Sequence, residues 1–268
     1  MSEHSEDLAQ IVTYMKAHWP SEVKDEWQVD IDEYMDIAKR VVNEWSKGAT
    51  FKGEFVRITG QSGSGKTSQL LPAVEAYFET KGKKPVLVAA RKFVEYHPHF
   101  KEIVAEYGKK DLRKMTDEFA TIMMFLVLKG LISLRCDLIL DVTLLDPKME
   151  AILVKMLQEN RYNFWMTMIA VSPEITAHFL KKREWRHTKA TEEEFIRATK
   201  LALGFYAQYF GDINIVMWNV WAKEPVFDGK IKDSLGTWQK YMGITEIPEE
   251  YNEDKIREAK IKYLKARV

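Results

Sequence analysis

Residues Gly60-Gln61-Ser62-Gly63-Ser64-Gly65-Lys66-Thr67 match the pattern G-x-x-x-x-G-K-[ST] in full. The pattern works only where a strand enters it and a helix leaves it. The flanks comply. Phe55-Val56-Arg57-Ile58-Thr59 is a branched, apolar run of strand type, and residues 66–80 carry helical spacing. Three glycines let the backbone turn tightly, so that amide groups and a helix N-terminus converge on an anion. Lys66 reaches terminal phosphates as a point charge, and the Thr67 hydroxyl is a Mg²⁺ ligand. Residues Gly60 to Thr67, with Ser68, therefore form the expected site for a nucleotide's phosphates and Mg²⁺.

Further short apolar runs lie at Pro85–Ala89, Asp137–Asp141, Phe164–Val171 and Ile213–Val220. Helical stretches separate them at 66–80, 100–107, 116–134, 147–158, 174–188 and 191–209. Strands alternating with helices require crossovers, which gives an α/β fold: a mainly parallel sheet flanked by helices, with N-terminal helices. The phosphate loop makes a P-loop NTPase/kinase fold the expectation, though such a loop serves kinases, hydrolysing switches and motors alike. Asp146-Pro147 and Ser172-Pro173 place capping acceptors before a first-turn proline, and Thr191 to Glu194 fits a capping box. Pro72 conflicts with this scheme. Inside a helix it should force a kink or remove a hydrogen bond.

Charge divides the chain of 268 residues. Residues 1–50 hold eleven acids and five bases within a chain whose net charge is zero. Zero net charge argues against bulk electrostatic nucleic-acid binding. The helical spacing of Leu8 to Trp19 and Ile31 to Trp45 predicts two amphipathic helices packed on the adjoining domain. The predicted division is an N-terminal helical segment (1–50), a kinase-type core (51–228) and a C-terminal helical appendage (229–268). Residues 246–268 hold six acids and six bases with little apolar periodicity. The single cysteine, Cys136, excludes an intrachain disulfide and fits a reducing cytoplasm. The most apolar run, Phe119 to Leu128, is half of the ~20 residues a membrane span needs, so no membrane association is expected.

Chemistry beyond the loop has several candidates. Asp141 ends the strand Leu138-Ile139-Leu140 at the edge where parallel sheets bind ligands; it could hold Mg²⁺ or accept a hydroxyl proton. Thr143 could donate to a substrate oxygen or simply serve a turn. Lys181, Lys182, Arg183, Arg186, His187 and Lys189 cluster, with Arg183 and Arg186 on one helix face able to neutralise a migrating phosphoryl group. His97 lies in the polar loop Arg91 to Phe100, structural or functional on its own residues.

Taken in order, these segments resemble the zeta toxins, P-loop kinases of bacterial toxin–antitoxin systems. Carrying the resemblance are GQSGSGKTS, Phe93 to His97-Pro98, Leu140-Asp141-Val142-Thr143, Val171-Ser172-Pro173-Glu174, Arg183-Glu184-Trp185, Arg186-His187-Thr188-Lys189 and Val216-Met217-Trp218-Asn219. It covers residues 35 to 228. It implies ATP-dependent phosphorylation of a hydroxyl on UDP-N-acetylglucosamine and an antitoxin partner. The acceptor half departs from the family. The position where the family has an aspartate that acts as base falls on Arg91, or on Ala89 or Ala90 if the register slips; Leu145 stands where it has an arginine, and Ala120 where it has an acid, Glu118 being the nearest carboxylate. Arg91, His97, Glu118 and Thr143 are thus the acceptor-side candidates; Lys66, Asp141, Arg183 and Arg186 are the catalytic ones. The rival reading is a nucleotide-binding regulatory protein whose acceptor site has decayed. A nucleotide-driven switch or motor lacks an evident polymer-binding surface.

Overall fold

The computed structural model describes residues 12–17, 23–61, 63–143, 147–180, 189–244, 246 and 251–267. The chain forms two compact units: Met1–Ala49 with Val88–Cys136, and Thr50–Leu87 with Asp137–Val268. The amino-terminal segment thus shares a unit with a piece of chain inserted after the second strand.

In the first unit, residues 12–17 (α1) are helical. Helix α2 (Ile31–Trp45) starts at Asp30, whose carboxylate accepts from the Glu33 amide at 2.8 Å. Its apolar face, Tyr34, Ile37, Ala38 and Val41, is buried. The spacing of residues 100–134 suggests two helices; they run on as α4 (Phe100–Ser133), broken only at Gly108, where φ is 71°. A glycine is what permits that left-handed break. Helices α2 and α4 approach closely at Gly130, where a Cβ would stand 2.6 Å from Val42 Cγ2. Tyr34 stacks on Phe119 at 5.3 Å.

The second unit carries the sheet. Its strands are β1 (Glu54–Thr59), β2 (Val86–Val88), β3 (Leu138–Asp141), β4 (Asn163–Ile169), β5 (Asn214–Trp218) and β6 (Phe227–Lys230), in the order β2-β3-β1-β4-β5-β6. β1 pairs in parallel with β3 and β4, and β4 with β5. β6, absent from the sequence expectation because it has no apolar run, adds antiparallel to β5 as an edge. From β1 the chain crosses to the outer strand β2, returns to fill β3 between β2 and β1, and then builds on the other side through β4 and β5. The carboxyl end of β1 is therefore the switch point where ligands bind in such sheets.

Helices α3 (Leu71–Thr80), α5 (Pro147–Glu159), α6 (Pro173–Leu180), α7 (Lys189–Tyr209), α8 (Leu235–Met242) and α9 (Glu253–Ala266) complete this unit. Alternate strand residues feed two buried clusters. Trp165, Ile169, Val216 and Trp218 pack with Leu70, Val74, Phe78 and Leu264. Met166, Met168, Ile215 and Met217 pack with Ala202, Tyr206 and Trp238. That period of two with both faces covered explains why every residue of β1 is buried.

Three local expectations change. Pro72 causes no kink, because residues Lys66–Leu70 form a π turn and Pro72 falls in the first turn of α3, where no amide donor is required. Helix α7 is already formed at Lys189, so Thr191 is not its cap. Ser172 does cap α6, its hydroxyl accepting from the Ile175 amide at 3.4 Å, whereas Asp146 lies outside the described residues. The tail, by its mixed charge, reads as an appendage. In α9, however, Ile256, Lys260 and Leu264 are buried at a four-residue spacing. A lysine at the centre of the stripe hides it from a hydropathy pattern. Among the described residues, no helix is long and apolar enough to cross a membrane.

Candidate functional site

β1 runs straight into the glycine loop. Gly60, Gly63 and Gly65 adopt φ of 129°, 76° and 93°, all in the left-handed region that side chains rarely adopt. At Gly60 a Cβ would also sit 2.8 Å from the carbonyl oxygen of Ile169, at the end of β4. The loop is anchored from the same side. Gln61 Nε2 donates to the Val171 carbonyl at 2.7 Å and to Thr176 Oγ1 at 3.2 Å. Lys66 Nζ donates to the carbonyls of Gly60 and Gln61, at 2.6 and 2.7 Å, which places the ammonium over its own loop.

Asp141 lies one strand away. Parallel register pairs it with Ile58, and it is buried. Thr67 Oγ1 donates to Asp141 Oδ2 at 3.4 Å. Two hard oxygens thus face each other where the turn begins. Mg²⁺ is held by one or two protein oxygens, the rest of its shell being phosphate and water. The pair fits that demand, and among the described residues no group of three or more His, Cys, Asp or Glu forms a fuller metal site.

The loop also fits a phosphate. Its three positive-φ glycines turn the backbone tightly, and at Gly60 there is no room for a Cβ against Ile169 and Ser64. The hydroxyls of Thr59 and Ser64 are buried with no partner among the described residues. Buried hydroxyls normally have partners, and exceptions cluster where a ligand or water completes them.

The zeta toxin family model matches residues 52–203, more than half of the chain and the whole of this strand–loop–helix unit. The chain belongs to the zeta toxin family. Toxin PezT of Streptococcus pneumoniae serotype 4 is 31% identical over 121 residues, which is 45% of this chain and 46% of that toxin. The match therefore spans under half of the toxin's own length. A solved structure of the PezAT chromosomal toxin–antitoxin system of Streptococcus pneumoniae superimposes with a TM-score of 0.63 at 20% identity, covering 90% of this chain and 99% of that one. The AvrRxo1-ORF1:AvrRxo1-ORF2 complex with sulphate ions gives 0.53 at 14% identity, covering 87% and 83%. Both likenesses are of fold.

The zeta toxin candidates divide between the two units. Gly60, Gln61, Gly63 to Ser68, Asp141 and Thr143 are gathered in the second. Ser62, Arg183 and Arg186 lie outside the described residues. Arg91, His97 and Glu118 belong to the first unit. Arg91 is exposed on a short turn, Ala90–Lys92. His97 is buried, packs on Phe119 at 4.6 Å, and accepts the His99 amide at Nδ1 at 3.1 Å. Burial, with the nearby His99, pushes its pKa down to about 4. It is therefore neutral at physiological pH and braces the turn into α4. Glu118 accepts a hydrogen bond from Tyr34, whose hydroxyl burial and that carboxylate push upward.

Two groups of residues near the site leave no motif in the sequence. Arg57, fully buried on β1, makes a two-pronged ion pair with Glu150 of α5. Its Nη2 also donates to the Thr143 carbonyl at 3.0 Å, and Tyr206 donates to Glu150. This cluster holds the chain that leaves Asp141. The available signal is a charge inside an apolar strand; its partner, 93 residues away, leaves no local trace. The second group is built on Gln69 and Lys260.

Proposed function

We propose that this zeta toxin family member is an ATP·Mg²⁺-dependent kinase that phosphorylates a hydroxyl of a sugar nucleotide, UDP-N-acetylglucosamine or a related small nucleotide. The observation that carries the reading is the Lys66 ammonium folded over the glycine loop, with Thr67 facing Asp141 beside it.

Bound ATP·Mg²⁺ would supply the phosphoryl group and the charge that spreads over it. The chain's part is positioning and electrostatics, which dominate phosphoryl transfer. Loop amides and the first turn of the following helix face the phosphates. Lys66 exchanges two carbonyl partners for phosphate oxygens. Thr67 and Asp141 would hold the cation. Thr143, fixed through its carbonyl by Arg57, borders the acceptor side. Arg183 and Arg186 are assigned by sequence to the migrating group. In the transfer the acceptor oxygen bonds to the γ-phosphorus, the β–γ bridge breaks, and the acceptor proton passes to a carboxylate or to the departing phosphate.

The protein is assigned to the cytoplasm. The toxin–antitoxin context of its structural relative supports an inhibitory protein partner. A rival reading, nucleotide binding without transfer, is favoured by exposed Arg91 where the family resemblance places an aspartate. Mass spectrometry separates the two. Purified protein with ATP, Mg²⁺ and a panel of UDP-sugars and dinucleotides should add one phosphate to one compound, and Lys66→Ala should abolish this. ATP binding with no product anywhere on the panel would establish the rival.

A further inference from the structure

The helix nearest the chain's end reaches the phosphate loop through one amide. Lys260 of α9 is fully buried, and its Nζ donates to Gln69 Oε1 at 2.6 Å and to the Asn219 carbonyl at 3.3 Å. It also lies 5.5 Å from the centre of the Trp218 ring. Burial pushes its pKa down to about 7, and its donors meet neutral oxygens. Asn219 is itself tied down, donating to the Ala170 carbonyl at 3.2 Å and accepting from the Trp221 amide at 3.2 Å.

Lys260 Nζ donates to Gln69 Oε1 while its second hydrogen bond, to the Asn219 carbonyl, holds it in place, which sets the orientation of the Gln69 side-chain amide. Nε2 must then point the other way, where it donates to the Tyr251 hydroxyl at 3.3 Å. The same Nε2 stands 3.2 Å from the place a Cβ of Gly65 would occupy, with Cδ at 3.3 Å. The Gln69 backbone N–H donates to the Gly65 carbonyl at 2.9 Å. Gln69 therefore contacts, through side chain and backbone, the glycine that immediately precedes Lys66, inside the π turn that starts at Lys66.

We propose that Lys260 is a positioning residue of the nucleotide site: by orienting the Gln69 amide between itself and Tyr251, it wedges Gly65 and so sets the direction of Lys66. This rests on the reading of Gly60–Thr67 as a nucleotide site. It goes beyond the family match, which ends at residue 203 and leaves α9 outside. The helix that looked like an appendage becomes the back wall of the loop.

The test is ATP·Mg²⁺ binding to the full chain by calorimetry, with the thermal midpoint read on each sample. Lys260→Met keeps the stem and removes the donor. It should weaken ATP by about 10-fold, the size of one lost positioning hydrogen bond. Gln69→Leu should do the same, and the double variant should be no worse than either. Lys260→Arg, which keeps a donor, should recover most of the affinity. A merely structural lysine would not give this rescue and non-additivity at an unchanged midpoint. Should Lys260→Met not fold, Tyr251→Phe, at the surface end of the same amide, should still weaken binding about 3-fold. Wild-type affinity in Lys260→Met, additive losses, or wild-type affinity in Tyr251→Phe would overturn the proposal. Failure of the wild type to bind ATP would instead overturn the nucleotide site itself.

Discussion

The two ends of the strands in the second unit are built on opposite principles. At the amino end, charge is saturated. Buried Glu54 accepts from Tyr77, Lys81 and Lys83. Buried Asp137 accepts from the Glu54 amide at 2.8 Å and from the Thr50 hydroxyl. At the carboxyl end, the backbone is strained at three glycines, two buried hydroxyls lack partners among the described residues, and a lysine rests on neutral carbonyls. Strain and open valence collect at the end proposed to bind nucleotide, and hydrogen-bonded charge at the other.

The largest effect that would break this contrast is at Lys66. Lys66→Ala should reduce phosphoryl transfer by ~10²-fold or more while leaving the thermal midpoint in place. A matching fall in midpoint would mean that the carboxyl end is also structural. Glu54→Ala is the mirror image. Removing the carboxylate leaves two ammonium groups and a tyrosine against a buried hole, and urea unfolding should register a loss of ~3 kcal/mol. ATP affinity of the folded fraction should not move. Gly60→Ala should do both kinds of damage, since a Cβ there meets the Ile169 carbonyl at 2.8 Å on a backbone with φ of 129°. A stability cost of ~1–3 kcal/mol together with weakened ATP binding is expected.

The contrast also governs what is legible in the sequence. The loop can be read because its chemistry is local. Glycine spacing, an adjoining strand and an adjoining helix all fall in one short stretch, Glu54 to Thr80, and Asp141 announces itself as the acid ending an apolar run. What hydropathy cannot show is the support at long range. Lys260 and Gln69 are 191 positions apart, and Arg57 and Glu150 are 93 apart. Each joins a polar residue on one buried face to a polar residue on another, and hydropathy patterns score both as errors in a core. Pro72 misleads for the opposite reason. The conflict is local and real, and a π turn that periodicity does not anticipate resolves it.

Acid should dissect stability between the units more finely. His97 in the first unit is held neutral, its pKa pushed down to about 4 by burial and by His99. A histidine with a depressed native pKa binds its proton later than the unfolded chain does. Its contribution is therefore complete above about 6.5 and drains away as pH falls towards 4. Glu54 behaves differently. Burial pushes its carboxyl up, but hydrogen bonds from Lys83, Tyr77 and Lys81 outweigh that, leaving it below the ordinary carboxylate value of 4.5. Its contribution is complete above 4.5 and drains away only below that, as the medium falls towards the depressed value. Urea midpoints taken from pH 7 to 3 should thus decline in two stages. His97→Asn should flatten the upper stage and leave the lower, and Glu54→Gln should do the reverse. If His97→Asn leaves the slope between 6.5 and 4 unchanged, the imidazole is hydrated rather than packed, and its bracing role on α4 is wrong.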